Sequence, residues 1–203
     1  RVSFSTDRRL VLDAHTSHRT PPSLTLRTAA GAPVSVVAPP RTDLLATLDL
    51  VVPELTTVPA DDGFPLPARI VRPKGFDPGR RYPVIVNPYG GPSSPTVRDG
   101  FYGGSSLFEQ VLARAGYAVV NIDNRSATGI AKKLEDPVAR RVWSDNELAD
   151  VLAGVRWLKA QSWVDPGRVG IWGWSGGGTF TLLAMTRSTE FKAGIAVAAL
   201  VDG

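Results

Sequence analysis

The sequence predicts an α/β protein whose second half is a mostly parallel sheet with helices on both faces, preceded by a few antiparallel strands. Three observations carry this. Fifteen of the 17 prolines lie at or before Pro95, which leaves the second half free to form long helices. From Tyr82 onward, apolar runs of strand length recur without polar alternation, as a sheet covered on both faces requires. Between them lie segments with apolar residues at helical spacing, and alternating strands and helices are the mark of a parallel sheet.

Taken in order, Val2 to Ser5, Leu10 to Leu12, Leu24 to Leu26 and Val34 to Val37 are short β-prone runs separated by turn clusters, so residues 1–40 read as a small antiparallel sheet. Such a sheet is too small to stand alone and is expected to lean on further structure. Thr42 to Leu50 suits a short connecting helix capped by Thr or Asp, and 41–58 form a connecting helix and linker. Leu55 to Val58 and Leu66 to Val71 pair around the Asp62-Gly63 turn. The buried strands follow at 82–86, 117–122 and 168–173, with a fourth run at 193–200. Helices are expected over Ser105 to Arg114, Asn146 to Gln161 and Gly177 to Arg187. In the middle one, acids early and Lys159 late suit the helix dipole; Glu147 and Asp150 are read as a solvated face.

The composition, 43% hydrophobic and 21% charged over 203 residues, is that of an ordinary globular chain. The net charge of +4 is spread and not gathered into a basic run, which argues against a nucleic-acid partner. No stretch reaches the roughly 18 apolar residues of a membrane-spanning helix. The chain begins at Arg1 without Met or leader, so a soluble, trimmed segment is expected. It has no cysteine, which removes thiolate chemistry and leaves the compartment open. No phosphate loop, dinucleotide fingerprint or metal cluster is visible, and no cofactor is expected. The only histidines are His15 and His18, read as surface residues, so chemistry further along must proceed without an imidazole from residues 19–203.

The strand at 168–173 runs into Gly173-Trp174-Ser175-Gly176-Gly177, a G-x-S-x-G pattern between strand and helix. This is the context of a nucleophile elbow, in which a strained turn lifts a serine hydroxyl clear of the sheet at a helix N-terminus. Trp174 is expected to pack beneath the serine. Trp157, Trp163 and Trp172 read as core and edge packing. After the first buried strand, Tyr89 in NPYGGP sits where open α/β sheets build their sites. On the residues alone it is equally a packing tyrosine or a hydroxyl placed to hold an oxyanion. Asp123 and Arg125, at the end of the second buried strand, are candidates for an ion pair bracing the site.

Taken together, YPVIVNPYGGPSS, NIDNRSATG, WLKAQxWVDPxRVG, IWGWSGGGTFTLLAMTRS and FKAGIAVA resemble the prolyl oligopeptidase family of serine peptidases, in its dipeptidyl peptidase IV branch, over about residues 65 to 203. The resemblance implies a β-propeller followed by an α/β-hydrolase domain, with residues 1–40 as the last propeller strands and 59–203 as the first part of the catalytic domain. It assigns Ser175 as nucleophile, the Tyr89 hydroxyl and the Gly176 backbone N–H as oxyanion donors, and peptides as substrates. It further implies removal of N-terminal dipeptides with proline or alanine second, and a full-length protein that is dimeric and either periplasmic or secreted.

Two departures stand out. The branch has a tyrosine where this chain has Gly176, and Asn124-Arg125-Ser126-Ala127 replaces a Gly-Arg-Gly-Ser turn. A third point concerns the catalytic triad. In the hydrolase order the acid and histidine follow the serine, whereas residues 176–203 contain only Glu190 and Asp202 as acids and no histidine. Asp202 is read as a loop or capping residue. A serine without a base is a weak nucleophile, so the 203 residues alone are expected to be inactive. Alternative readings are an acylaminoacyl peptidase or oligopeptidase of the same family, an esterase, and a binding scaffold that has lost catalysis.

Overall fold

A computed structural model describes residues 1–101, 104–136 and 142–201. Asp202 therefore lies outside the described residues. The chain divides into two compact units, one of residues 1–52 with 99–108 and the other of residues 53–98 with 109–203.

The first unit holds a four-stranded antiparallel sheet, β1 (Val2–Phe4), β2 (Leu10–His15), β3 (Ser23–Thr28) and β4 (Pro33–Ala38), in sequential order. Its strands are thinly covered: Val11 is its one buried aliphatic side chain among the described residues, and Val34, Val36 and Val37 are exposed. The following helix, α1 (Thr42–Thr47), is shorter than the spacing suggests, and neither Thr nor Asp caps it. Its N-cap is Arg41, whose guanidinium is taken up by Asp43 at 2.9 Å. His18 is also not the surface residue expected: its side chain is buried and its backbone N–H donates to the Asp99 carboxylate at 2.7 Å.

In the second unit, β5 (Glu54–Pro59) and β6 (Pro65–Val71) form the expected hairpin, with Gly63 at φ 81° closing the turn. The next elements are β7 (Tyr82–Val86), α2 (Gly104–Arg114, its first turn in the other unit), β8 (Ala118–Ile122), the short α3 (Lys132–Glu135), α4 (Asp145–Lys159), β9 (Val164–Trp174), α5 (Gly176–Arg187) and β10 (Ala193–Val197). Their six-stranded sheet has the order β10-β9-β7-β8-β6-β5. The four strands from β10 to β8 are parallel, and the hairpin joins them antiparallel through β6. The architecture is the expected one: a partial α/β-hydrolase sheet preceded by antiparallel strands.

Period-two alternation distributes the two faces. Ala68, Ile70, Ala118, Val120 and Ile122 pack with Leu148, Val151, Val155 and Leu158 of α4 and Phe180 of α5 in one apolar core. On the other face the intervening Arg69 donates to both Glu109 of α2 and Asn121. Because β8 and β9 flank β7 on opposite sides, the chain reverses its winding there, and the carboxyl ends of β7 and β9 open onto a switch point where α/β sheets place their ligands.

The Glu147 and Asp150 expectation is overturned, since these residues are only 2% and 4% exposed. Glu147 is drawn in because it closes a capping box: Ser144 is the N-cap of α4, and the Glu147 carboxylate accepts from the Ser144 backbone N–H. Asp150 is drawn in by the guanidinium of Arg125, 2.8 Å away.

Candidate active site

Strand β9 ends at Trp174, and Ser175 turns the chain into α5 with φ 55° and ψ −121°. A serine in this sparsely populated region persists only where its surroundings over-determine it. Three contacts do so. The Ser175 N–H donates to the Val197 carbonyl of β10 at 2.9 Å. A Cβ at Gly173 would stand 2.3 Å from the backbone of Gly177, and one at Gly177 would stand 2.6 Å from the Pro88 carbonyl. Only glycine fits at those two places, so the elbow is drawn tight between β9, β10 and the loop after β7. No described residue hydrogen-bonds to the Ser175 hydroxyl, which is left at the head of the 12-residue α5. Gly176 begins that helix, so its N–H has no intrahelical acceptor.

Tyr89 comes to the same place from the other strand end. Its ring lies over Gly176: a Cβ built there would be 3.2 Å from Tyr89 Cζ. The structure therefore brings together Ser175, Gly176 and Tyr89. The loop that carries Tyr89 is held by two asparagines that sequence reasoning missed. Asn121 Nδ2 donates to the Asn87 carbonyl at 2.8 Å, and Asn124 Nδ2 to the Gly90 carbonyl at 3.1 Å. Asn121 Oδ1 in turn accepts from Arg69 at 2.9 Å, and Arg69 also pairs with the Glu109 carboxylate. A buried polar chain thus runs from α2 through β6 and β8 to the tyrosine loop. Burial pushes the Glu109 carboxyl above its usual range despite the guanidinium beside it. The signal for Asn121 was an amide inside the otherwise apolar run YAVVNI.

Asp123 and Arg125 do not pair with one another; their partners separate them. The Asp123 carboxylate accepts from the Thr96 hydroxyl at 2.6 Å and from the Thr96 and Val97 N–H groups at 2.9 Å, fixing the chain that continues from the tyrosine loop. Burial raises its pKa against those bonds. Arg125 instead clamps Asp150 of α4 and Asp62 of the β5–β6 turn. This holds Asp62 down to about 2 and raises Arg125 itself. Trp174 is 63% exposed and does not pack under the serine: with Gly173 turned inward, the next side chain of the strand faces outward. Trp163 is buried, edge-on to Phe76 at 5.9 Å, as expected of a packing residue.

The model of the prolyl oligopeptidase family matches residues 105–203. The whole chain superimposes on Porphyromonas gingivalis dipeptidyl peptidase 4 with a TM-score of 0.87 at 30% identity, covering 29% of that chain. Residues 105–203 belong to the prolyl oligopeptidase family. Among curated relatives, the Ajellomyces dermatitidis protein named "Probable dipeptidyl-aminopeptidase B" is 38% identical over 144 residues, 70% of this chain and 15% of the relative. Dipeptidyl peptidase 8 of Mus musculus is 36% identical over 150 residues, 73% of this chain and 17% of that protein. The chain therefore spans about a sixth of the length of those relatives. No helix among its described residues is long and apolar enough to cross a membrane.

Proposed function

We propose that these residues form the nucleophile-bearing part of a serine dipeptidyl peptidase, with residues 1–40 as terminal propeller strands, 41–58 as connector and 59–203 as the first part of the catalytic domain. The observation that carries this is the strained Ser175 at the head of α5, with the Tyr89 ring lying against Gly176. Ser175 Oγ attacks the scissile carbonyl carbon. As the C–O bond forms, the hydroxyl proton passes to a base and the carbonyl oxygen becomes an oxyanion, held by the Tyr89 O–H and the Gly176 N–H. Collapse expels the amine of the downstream peptide, which takes a proton from the same base, and water then releases the acyl group, a dipeptide. The base is a histidine with its acid partner, supplied by a longer protein, because residues 19–203 hold no histidine.

In the full-length protein, Gly-Pro and Ala-Pro chromogenic substrates are expected to be cleaved and N-terminally blocked peptides not. Cleavage of blocked peptides alone would move the assignment to an acylaminoacyl peptidase or oligopeptidase, and turnover of short-chain esters alone to an esterase. Ser175→Ala is expected to abolish both turnover and fluorophosphonate labelling. Tyr89→Phe is expected to lower kcat by about 10²-fold, the usual size for one oxyanion donor. An intact protein in which Ser175 does not label would be a binding scaffold and not an enzyme.

A further inference from the structure

Gly176 is small for a reason visible in its surroundings. A Cβ at this position would lie 2.6 Å from Cζ2 and 3.2 Å from Cε2 of Trp143, as well as 3.2 Å from the Tyr89 ring. Contacts below 3.0 Å cannot be accommodated without movement, so the indole occupies the volume that a side chain immediately after the nucleophile would take. Trp143 comes from a separate part of the sequence, one residue before the N-cap of α4. Its φ of 54° is one that a bulky residue rarely adopts. The capping box that follows it and its packing on the core hold it there. Its Nε1 is buried without a hydrogen-bond partner, so no polar contact explains the ring's placement, and an orphaned buried donor calls for an explanation.

We propose that Trp143 walls the site on the Gly176 side of the nucleophile and thereby sets the size of the substrate residue that carries the scissile carbonyl. This rests on the serine-peptidase reading above. Two aromatic rings converge on the side-chain direction of Gly176: Tyr89 supplies a hydroxyl and Trp143 supplies bulk. The wall acts by shape, because the indole N–H faces no acceptor. Trp143 is thus a specificity-determining residue borrowed from the α4 entry, and Gly176 is its necessary counterpart.

The test uses the full-length protein and a series of Ala-Xaa chromogenic dipeptides with Xaa as Ala, Pro, Leu and Phe. Trp143→Ala is expected to raise kcat/KM for Ala-Phe relative to Ala-Ala by at least about tenfold, the discrimination that a change of a few methylene volumes in a pocket produces. Trp143→Phe is expected to keep the size preference, since the wall remains while the N–H is lost. Gly176→Ala is expected to impair turnover strongly beside Trp143 and much less beside Trp143→Leu, because the smaller residue relieves the contact. Fluorophosphonate labelling separates the two failures: an unlabelled wild-type protein sinks the hydrolase reading itself. A Trp143→Ala protein that labels normally with an unchanged size preference overturns the wall. So does a Gly176→Ala effect that is the same beside Trp143 and beside Trp143→Leu. Should Trp143→Ala fail to fold, the coupling between Gly176→Ala and Trp143→Leu decides the question.

Discussion

Asn121 shows how one side chain can carry a site it does not enter. Its amide uses both ends, accepting from Arg69 and donating to the Asn87 carbonyl two residues before Tyr89, while only 3% of its surface is exposed. Replacing one member of a buried polar chain strands the others, which costs about 1–3 kcal/mol per unsatisfied group. Asn121→Leu is therefore expected to lower the unfolding free energy by roughly that amount or more in chemical denaturation, and to lower kcat of the full-length enzyme with Ser175 still present. An unchanged denaturation midpoint would show that the Arg69–Glu109 pair holds the tyrosine loop without it. The same scale explains Ser175: its positive φ is imposed by neighbours in β10 and the β7 loop, none of which is local in sequence.

At the scale of elements, α4 is the strut of the second unit. Its start is fixed by the Ser144–Glu147 box, its buried side by Leu148, Val151, Val155 and Leu158, and its Asp150 by Arg125 from the loop after β8. Gly154 lets it close on the sheet, since a Cβ there would stand 2.7 Å from Ile122. Ser144→Ala removes half of the box and is expected to destabilise by about 1 kcal/mol, the usual cost of an N-cap. Because Trp143 adjoins that cap, the variant is also expected to alter kcat/KM beyond what its melting temperature explains. Among the described residues the strand β10 forms one edge of the sheet, and its Ile195, opposite Trp172 in the register, is exposed. An apolar edge invites pairing with other chains. The 203-residue polypeptide is therefore expected to self-associate, with Ile195→Lys shifting it toward monomer in sedimentation.

On the scale of the whole second unit, Arg125 clamps the β5–β6 turn, the end of β8 and α4 through Asp62 and Asp150. The sign of its pH dependence follows from Asp62. Its carboxyl is held at about 2, below its usual 3.8, so the stability it contributes is present above about pH 4 and is lost as pH falls through 2. Asp123 and Glu109 act in the opposite sense: burial raises them, so their contribution is fullest below their usual pKa and declines as pH rises through the raised values. The stability difference between the parent protein and Asp62→Asn is expected to shrink between pH 4 and pH 2 in urea titrations. A difference constant over that interval would mean that Asp62 is not held down by the clamp.

Local patterns along the chain were enough for the α/β class, the order of strands and helices, the Asp62-Gly63 hairpin and the elbow at Ser175. Each of these is written in local periodicity, in glycine placement or in an apolar run read within a dozen residues. The resemblance added Tyr89, which the residues alone left between packing and catalysis. Which residues meet was settled by the packing of the elements: Asp123 with Thr96 and not Arg125, Asp150 and Glu147 buried and not solvated, Trp174 facing outward, and Trp143 against Gly176. Apart from Glu147, whose capping box with Ser144 spans only three residues, those pairings join residues 25 or more positions apart, or hang on the direction of one side chain at a strand end. They depend on how β7, β8 and β9 lie side by side, and no spacing within the chain encodes that.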